Sequence, residues 1–173
     1  MATTADGMSS EDALVQTVLA LAAAKTVEAV AQEMRLSARQ LVVADGVTFV
    51  LRDGDQCHYF DEDAIAPLWK GSRFPLHACI SGWVMLHAQI ALIPDIYADP
   101  RIPHEAYRPT FVRSLAMVPV PQGRPVAAIG AYWADRHEAS WSEQYTLQTL
   151  ANAAGVALTN LALYEGLRTA AQL

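Results

Sequence analysis

Residues 74–103 read FPLHACISGWVMLHAQIALIPDIYADPRIP, and this stretch decides the fold. Arg73 to Leu76 is a short extended piece. Ser81 to His87 has the length and composition of a short helix. Gly82 within it lets the helix backbone come close to a neighbouring segment. Ala88 to Pro94 is apolar enough for a buried strand. Asp95 to Pro109 then holds three prolines in a loop too long to be a mere connection. Loops of that kind carry function or wrap a pocket.

On the N-terminal side, residues 1–10 are small and polar and are expected to form a disordered tail. Ser9 or Ser10 can cap a helix that starts near Glu11, where Glu11 and Asp12 suit its N-terminus. Leu14, Val15, Val18, Leu19 and Ala22 follow at helical spacing. Thr26 is a second cap, with Val27, Val30, Ala31 and Met34 forming the next apolar face. The two segments make one kinked helix or two. Gln40 to Leu51 turns β-like, with Asp53-Gly54 as a hairpin signal and Gln56 to Phe60 as the returning strand. Asp61-Glu62-Asp63 reads as a solvated acidic turn, and Ala64 to Lys70 as one helical turn ended by Gly71.

On the C-terminal side, Thr110 to Arg113 is expected to give one more turn. Ser114 to Pro121 is a strand, Gln122-Gly123 a turn, and Arg124 to Ala134 the longest strand. Both are apolar on both faces, so they belong at the centre of a covered sheet. Ser142, with Glu143 behind it, is the expected cap of a helix running to about Arg168. Leu147, Leu150, Ala154, Leu158 and Leu161 make one stripe on it, and Ala151, Gly155 and Ala162 a small-residue stripe beside it. That is more apolar circumference than one sheet face covers, so docking on a partner helix is expected. The fold class is α/β (α+β): a central antiparallel sheet, terminal helices on one face, short helices and a long loop on the other. Residues 11–173 form a single domain.

The 173 residues are 53% hydrophobic and 17% charged, which suits a globular domain. The formal charge of −6 argues against nucleic acid and anionic membrane as partners. No apolar run is long enough for a membrane span and no secretory signal opens the chain. Two cysteines without a CxxC pattern read as free thiols in a cytoplasmic protein.

Ile80-Ser81-Gly82-Trp83-Val84, followed by residues 93–101 (IPDIYADPR), resembles the signature of GAF domains, a small α/β sensor fold of signalling proteins. The resemblance extends over about residues 26–165, through Leu115–Pro119, Ile129–Trp133 and the final helix. The loop Arg101–Tyr107 is similar to that of GAF sensors attached to bacterial histidine kinases. No kinase catalytic segment is present in the sequence. The resemblance implies a regulatory module of the two-component type with a histidine kinase or another output domain as partner.

Family chemistries can be weighed residue by residue. Phytochrome-type members attach a bilin through the Cys of a Cys-His pair, with Tyr three residues after the His. Here residues 103–107 keep His104 and Tyr107, but Pro103 stands at the thiol position and cannot form the thioether. Another branch reduces free methionine sulfoxide with a nucleophilic thiolate and resolving cysteines. Cys79 sits near the corresponding region, but the long loop holds no second Cys, and Cys57 is expected to lie far away. Cys79 therefore reads as a small buried hydrophobe. The Asn-Lys-Phe-Asp-Glu set of cyclic-nucleotide-binding members has no match. The five histidines are scattered, and His77 with Cys79 makes no closed zinc site.

The sequence thus points to a sensor without catalytic or metal-binding residues and with no identified cofactor. An unidentified small molecule is expected between the sheet and the Asp95–Arg113 loop, touched by Trp83, Asp95, Arg101, His104, Tyr107 and Arg113. Trp69, Tyr97, Phe111, Tyr132 and Trp133 are further aromatics that could wall that cavity, with core packing favoured for Trp83 and Trp133. Arg101, Arg108 and Arg113 on one loop could clamp a carboxylate or phosphate. A homodimer through the N- and C-terminal helices, Ala13–Ala24 with Leu147–Leu161, is expected to relay the ligand state. A ligand-free dimerisation scaffold is the alternative, and a sulfoxide-reductase-like enzyme ranks last.

Overall fold

The computed structural model describes residues 8–172. Most of the expected tail, residues 1–7, lies outside the described residues, as does Leu173. Helix α1 (Ser10–Ala23) begins at Ser9, whose hydroxyl accepts from the Asp12 N–H. Helix α2 (Val27–Leu41) begins at Thr26, which caps it through the Ala29 N–H. The extended backbone at Ala24 and Thr26 separates two helices where one kinked helix was an alternative.

Strand β1 (Gly46–Asp53) starts later than the β-like composition from Gln40 suggests, because α2 continues to Leu41. It turns at Gly54, with φ of +59°, into β2 (Gln56–Ala64). Strand β3 (Arg73–Pro75), helix α3 (Ile80–His87) and strand β4 (Ala91–Ile93) follow. A four-residue helix α4 (His104–Tyr107) interrupts the long loop. Strands β5 (Ser114–Val120) and β6 (Ala127–Trp133) precede α5 (Trp141–Ala171). The six strands form one antiparallel sheet in the order β3-β2-β1-β6-β5-β4.

Both faces of the sheet are covered, as the apolar composition of β5 and β6 requires. Alternation divides their side chains. Ala116, Val118 and Val120 of β5, with Ala127, Ile129, Ala131 and Trp133 of β6, meet Leu21, Met34, Leu147 and Leu150 on the helical face. Leu115, Met117 and Tyr132 point the other way and pack on Val84 and Met85 of α3, on Ile96, and on Tyr107 of α4. Trp133 therefore belongs to the helical side, where its Nε1–H donates to the Val43 carbonyl at 3.2 Å. It does not wall a cavity beneath the loop.

Several local expectations are corrected. The acidic run 61–63 is not a turn. It continues β2, and a bulge explains how. Phe49 pairs with Asp61 but Val50 pairs with Tyr59, so Phe60 is the extra residue. Phe60 and Asp61 then both serve the helical side: Phe60 packs on that core and Asp61 pairs with Arg35 of α2 at 2.9 Å. Asp63 pairs with Arg39 of α2. Glu62 points oppositely and accepts from the backbone N–H groups of Leu68, Trp69 and Lys70 at 2.7–2.9 Å. That carboxylate holds residues 65–70 as an irregular loop in place of the expected helical turn.

Residues 110–113 likewise form bends, not a helical turn. β6 has seven residues and β2 nine, so β2 is the longest strand. The cap of α5 is Ser140, not Ser142. Ser140 and Glu143 make a reciprocal capping box, and Glu143 is the partner three residues on that such a box requires.

Candidate functional site

The face opposite the long helices carries the candidate site. Gly82 is the reason α3 can lie there. A Cβ at this position would stand 1.8 Å from the Leu76 carbonyl oxygen, so only glycine lets α3 pack against the turn that precedes it. Gly130 plays the same part in the sheet. A side chain there would collide with the Tyr132 ring and hydroxyl. The space lets Tyr132 reach Thr48 Oγ1 across the sheet at 2.9 Å, fully buried.

Trp69, carried in by the Glu62-anchored loop, packs edge-on or tilted against Tyr59, Tyr107 and Tyr132 with ring centroids 5.5, 4.6 and 5.6 Å away. Its Nε1–H donates to the Ala106 carbonyl of α4 at 3.1 Å. Tyr59, Trp69, Phe74, Cys79, Pro103, Ala106 and Tyr107 enclose a cavity of about 10 Å³, room for roughly one water. No Asp, Glu, Lys, Arg or His side chain lines it. The Tyr107 hydroxyl is buried and finds no hydrogen-bond partner among the described residues. Burial pushes the Tyr59, Tyr107 and Tyr132 phenols up, so all three are neutral.

The other five expected contact residues form an outer belt. Asp95 receives Arg113 at 3.1 Å and Arg136 at 2.9 Å. Asp99 holds Arg101 at 2.8 Å, and the Arg101 guanidinium lies 4.3 Å over the Trp83 ring. His104 Nε2 is within 3.1 Å of the Ile96 carbonyl and 3.2 Å of the Asp99 carbonyl. The arginines hold both carboxyls below their ordinary value: Arg113 acts on Asp95, Arg101 on Asp99. Arg101 and Arg113 are thus engaged by the loop's own carboxylates, and Arg108 pairs with Glu105. Tyr107 alone of the six enters the cavity.

The cysteines are closer than their sequence positions suggest. β3 pairs with β2, which sets Cys57 opposite Phe74. The chain then turns so that the Cys79 thiol reaches the Pro75 carbonyl at 3.5 Å. Cys57 and Cys79 are both buried and belong to the same cluster of side chains. Ser81 Oγ sits 3.3 Å from Cys79 Sγ and 3.1 Å from the Tyr59 hydroxyl. The expectation that Cys57 is distant is therefore overturned. No spacing in the sequence signals this contact, because it needs the β2–β3 register and the Gly82 approach together. The neighbouring Cys57 thiol lowers the Cys79 pKa, helped by Ser81 and by the backbone at Gly82 and Ser81. Cys79, with burial, raises the Cys57 pKa. Among the described residues no cluster of three His, Cys, Asp or Glu could hold a metal, and no helix is long and apolar enough to cross a membrane.

This layout defines an α/β sensor-type fold with a loop-covered sheet face. The sequence model of the GAF domain family matches residues 24–159, and the chain belongs to that family. Solved structures with the same fold include the GAF domain of a phosphoenolpyruvate-protein phosphotransferase from Coxiella burnetii. It is 15% identical, with 91% of this chain and 96% of that chain covered and a TM-score of 0.79. The free methionine-R-sulfoxide reductase from Neisseria meningitidis, solved with its substrate, is 17% identical over 95% of this chain and 96% of its own, with a TM-score of 0.77. The GAF domain of the Acinetobacter phosphoenolpyruvate-protein phosphotransferase is 16% identical over 91% and 99%, with a TM-score of 0.75. No curated protein matches the sequence.

Proposed function

We propose that this GAF domain is a non-catalytic small-molecule sensor of bacterial signal transduction, acting in the cytoplasm on a histidine kinase or another output domain. One observation carries the reading: an aromatic cavity lined by Tyr59, Trp69, Phe74 and Tyr107 under a loop fastened largely by ion pairs at its surface. Solvent-accessible ion pairs of this kind contribute only about 0–1 kcal/mol each, so the belt can rearrange. The closed cavity admits about one water, and a larger ligand enters as α4 lifts. The ligand class that fits Tyr59, Trp69, Phe74 and Tyr107 is apolar or aromatic with one hydrogen-bond acceptor. Trp83, Asp95, Arg101, His104 and Arg113 supply contacts at the mouth.

The relay runs through the terminal helices of a homodimer. Leu147, Leu150 and Ala154 are consumed by the chain's own core, so the partner-facing residues are those left outside. Val156, Leu163 and Leu167 of α5 and Val15 and Leu19 of α1 are all more than half exposed. On α5 they fall at intervals of seven and four, the spacing of a coiled-coil seam.

Sulfoxide reduction is the second reading, favoured by the Cys57–Cys79 contact. A cavity lined by no Asp, Glu, Lys or Arg weighs against it, because a free amino acid brings an ammonium and a carboxylate that must be paired when buried. Native mass spectrometry of the purified chain tests the sensor. A dimer with extra mass released on denaturation supports it and weighs the ligand. A bare monomer at micromolar concentration, unchanged by a library of neutral aromatic compounds, overturns it.

A further inference from the structure

We propose that Cys57 and Cys79 are a redox-active thiol pair, oxidised to an intrachain disulfide by hydrogen peroxide that enters the cavity beneath α4. The inference goes beyond the sensor reading and does not depend on any ligand of it.

Three observations bear on this. Both thiols are buried in one cluster where β2 meets the N-terminus of α3, and Ser81 Oγ stands 3.3 Å from Cys79 Sγ. Cys79 occupies the N-cap position of α3, where backbone N–H groups of Ser81 and Gly82 favour the thiolate. Cys79 also lines the water-sized cavity beneath α4. A void for about one water suits hydrogen peroxide, which is little larger, and rejects bulky organic hydroperoxides.

The chemistry balances without another reactant. The Cys79 thiolate attacks one peroxide oxygen. An S–O bond forms and the O–O bond breaks. The departing hydroxide takes up the proton that Cys79 gave up on ionising and leaves as water. Cys79 is then a sulfenic acid. The Cys57 sulfur attacks the Cys79 sulfur, forming S–S and breaking S–O. The second hydroxide leaves as water with the Cys57 proton. Two thiols are oxidised to one disulfide and one peroxide is reduced to two waters.

The test treats the reduced full-length chain with hydrogen peroxide, alkylates it under denaturing conditions, and maps peptides without reductant. The expected result is a Cys57–Cys79 linkage within one chain, with loss of two hydrogens and recovery by dithiothreitol. tert-Butyl hydroperoxide is expected to react several-fold more slowly. In Cys57→Ser, dimedone should trap a sulfenic acid on Cys79. Two free thiols after millimolar peroxide, a linkage only between chains, or equal rates with both oxidants would overturn the proposal. All three are read on the wild-type chain, so a variant that fails to fold does not obscure them.

Discussion

Trp69 holds Tyr107 in place: their rings lie 4.6 Å apart, and the Trp69 indole N–H donates to the carbonyl of Ala106, one residue before Tyr107. The loop after β2 and the helix within the long loop, about forty residues apart in the chain, thereby close over one cavity. The substitution Trp69→Ala is expected to cost about 3–5 kcal/mol in urea unfolding. Trp69→Phe keeps a ring but not the N–H, and should cost about 1–2 kcal/mol. Equal losses for the two would show that the bond to Ala106 contributes nothing.

At Gly82 the expected effect comes from backbone, not from side chains. Gly82→Ala forces a Cβ into the Leu76 carbonyl, a group that cannot swing aside. We expect a loss of about 3 kcal/mol or more, or no soluble protein. Gly123→Ala, where an added Cβ has nothing within 4 Å, is the matched control and should move the melting midpoint little. Similar midpoints for the two variants would contradict the close approach of α3.

Glu62 satisfies three successive backbone N–H groups of the loop. Glu62→Ala leaves them to water and should cost about 2 kcal/mol. Hydrogen exchange is the sharper measurement. Protection at Leu68, Trp69 and Lys70 should collapse together in the variant, while β1 and β6 stay protected. Unchanged protection would mean that the loop is held by Trp69 alone.

Cys79 should show its lowered pKa as reactivity and as stability. The groups facing it are Cys57 and Tyr59 of β2, Tyr132 of β6 and Tyr107 of α4, with Arg52 of β1 acting on Cys57. Iodoacetamide labelling of Cys79 is expected to rise with a midpoint near pH 6. Between about 6 and the ordinary thiol value near 8.5, the unfolded chain binds the extra proton, so stability should rise with pH. Above that range the raised pKa of Cys57 reverses the sign: the unfolded thiol ionises, the folded one does not, and stability falls. A labelling midpoint near 8.5, with flat stability from pH 6 to 8, would remove the thiolate.

Much of the architecture was legible because it is local. Ser9 and Thr26 cap where hydroxyl residues precede an apolar helical period, Asp53-Gly54 turns where glycine admits positive φ, and Gly82 marks a close approach. The apolar runs at Ser114–Val120 and Ala127–Trp133 required a sheet covered on both sides. The sequence by itself therefore determined the element order, the layering and the family. Only the tertiary structure decided the site. The bulge at Phe60 turned an acidic run from a turn into a strand, because two-residue alternation cannot show an extra residue. The loop arginines met their own carboxylates, since ion pairing depends on where backbones bend. Cys57 came to Cys79 through a strand pairing and a helix approach that are set far from either residue, and no spacing along the chain encodes that distance.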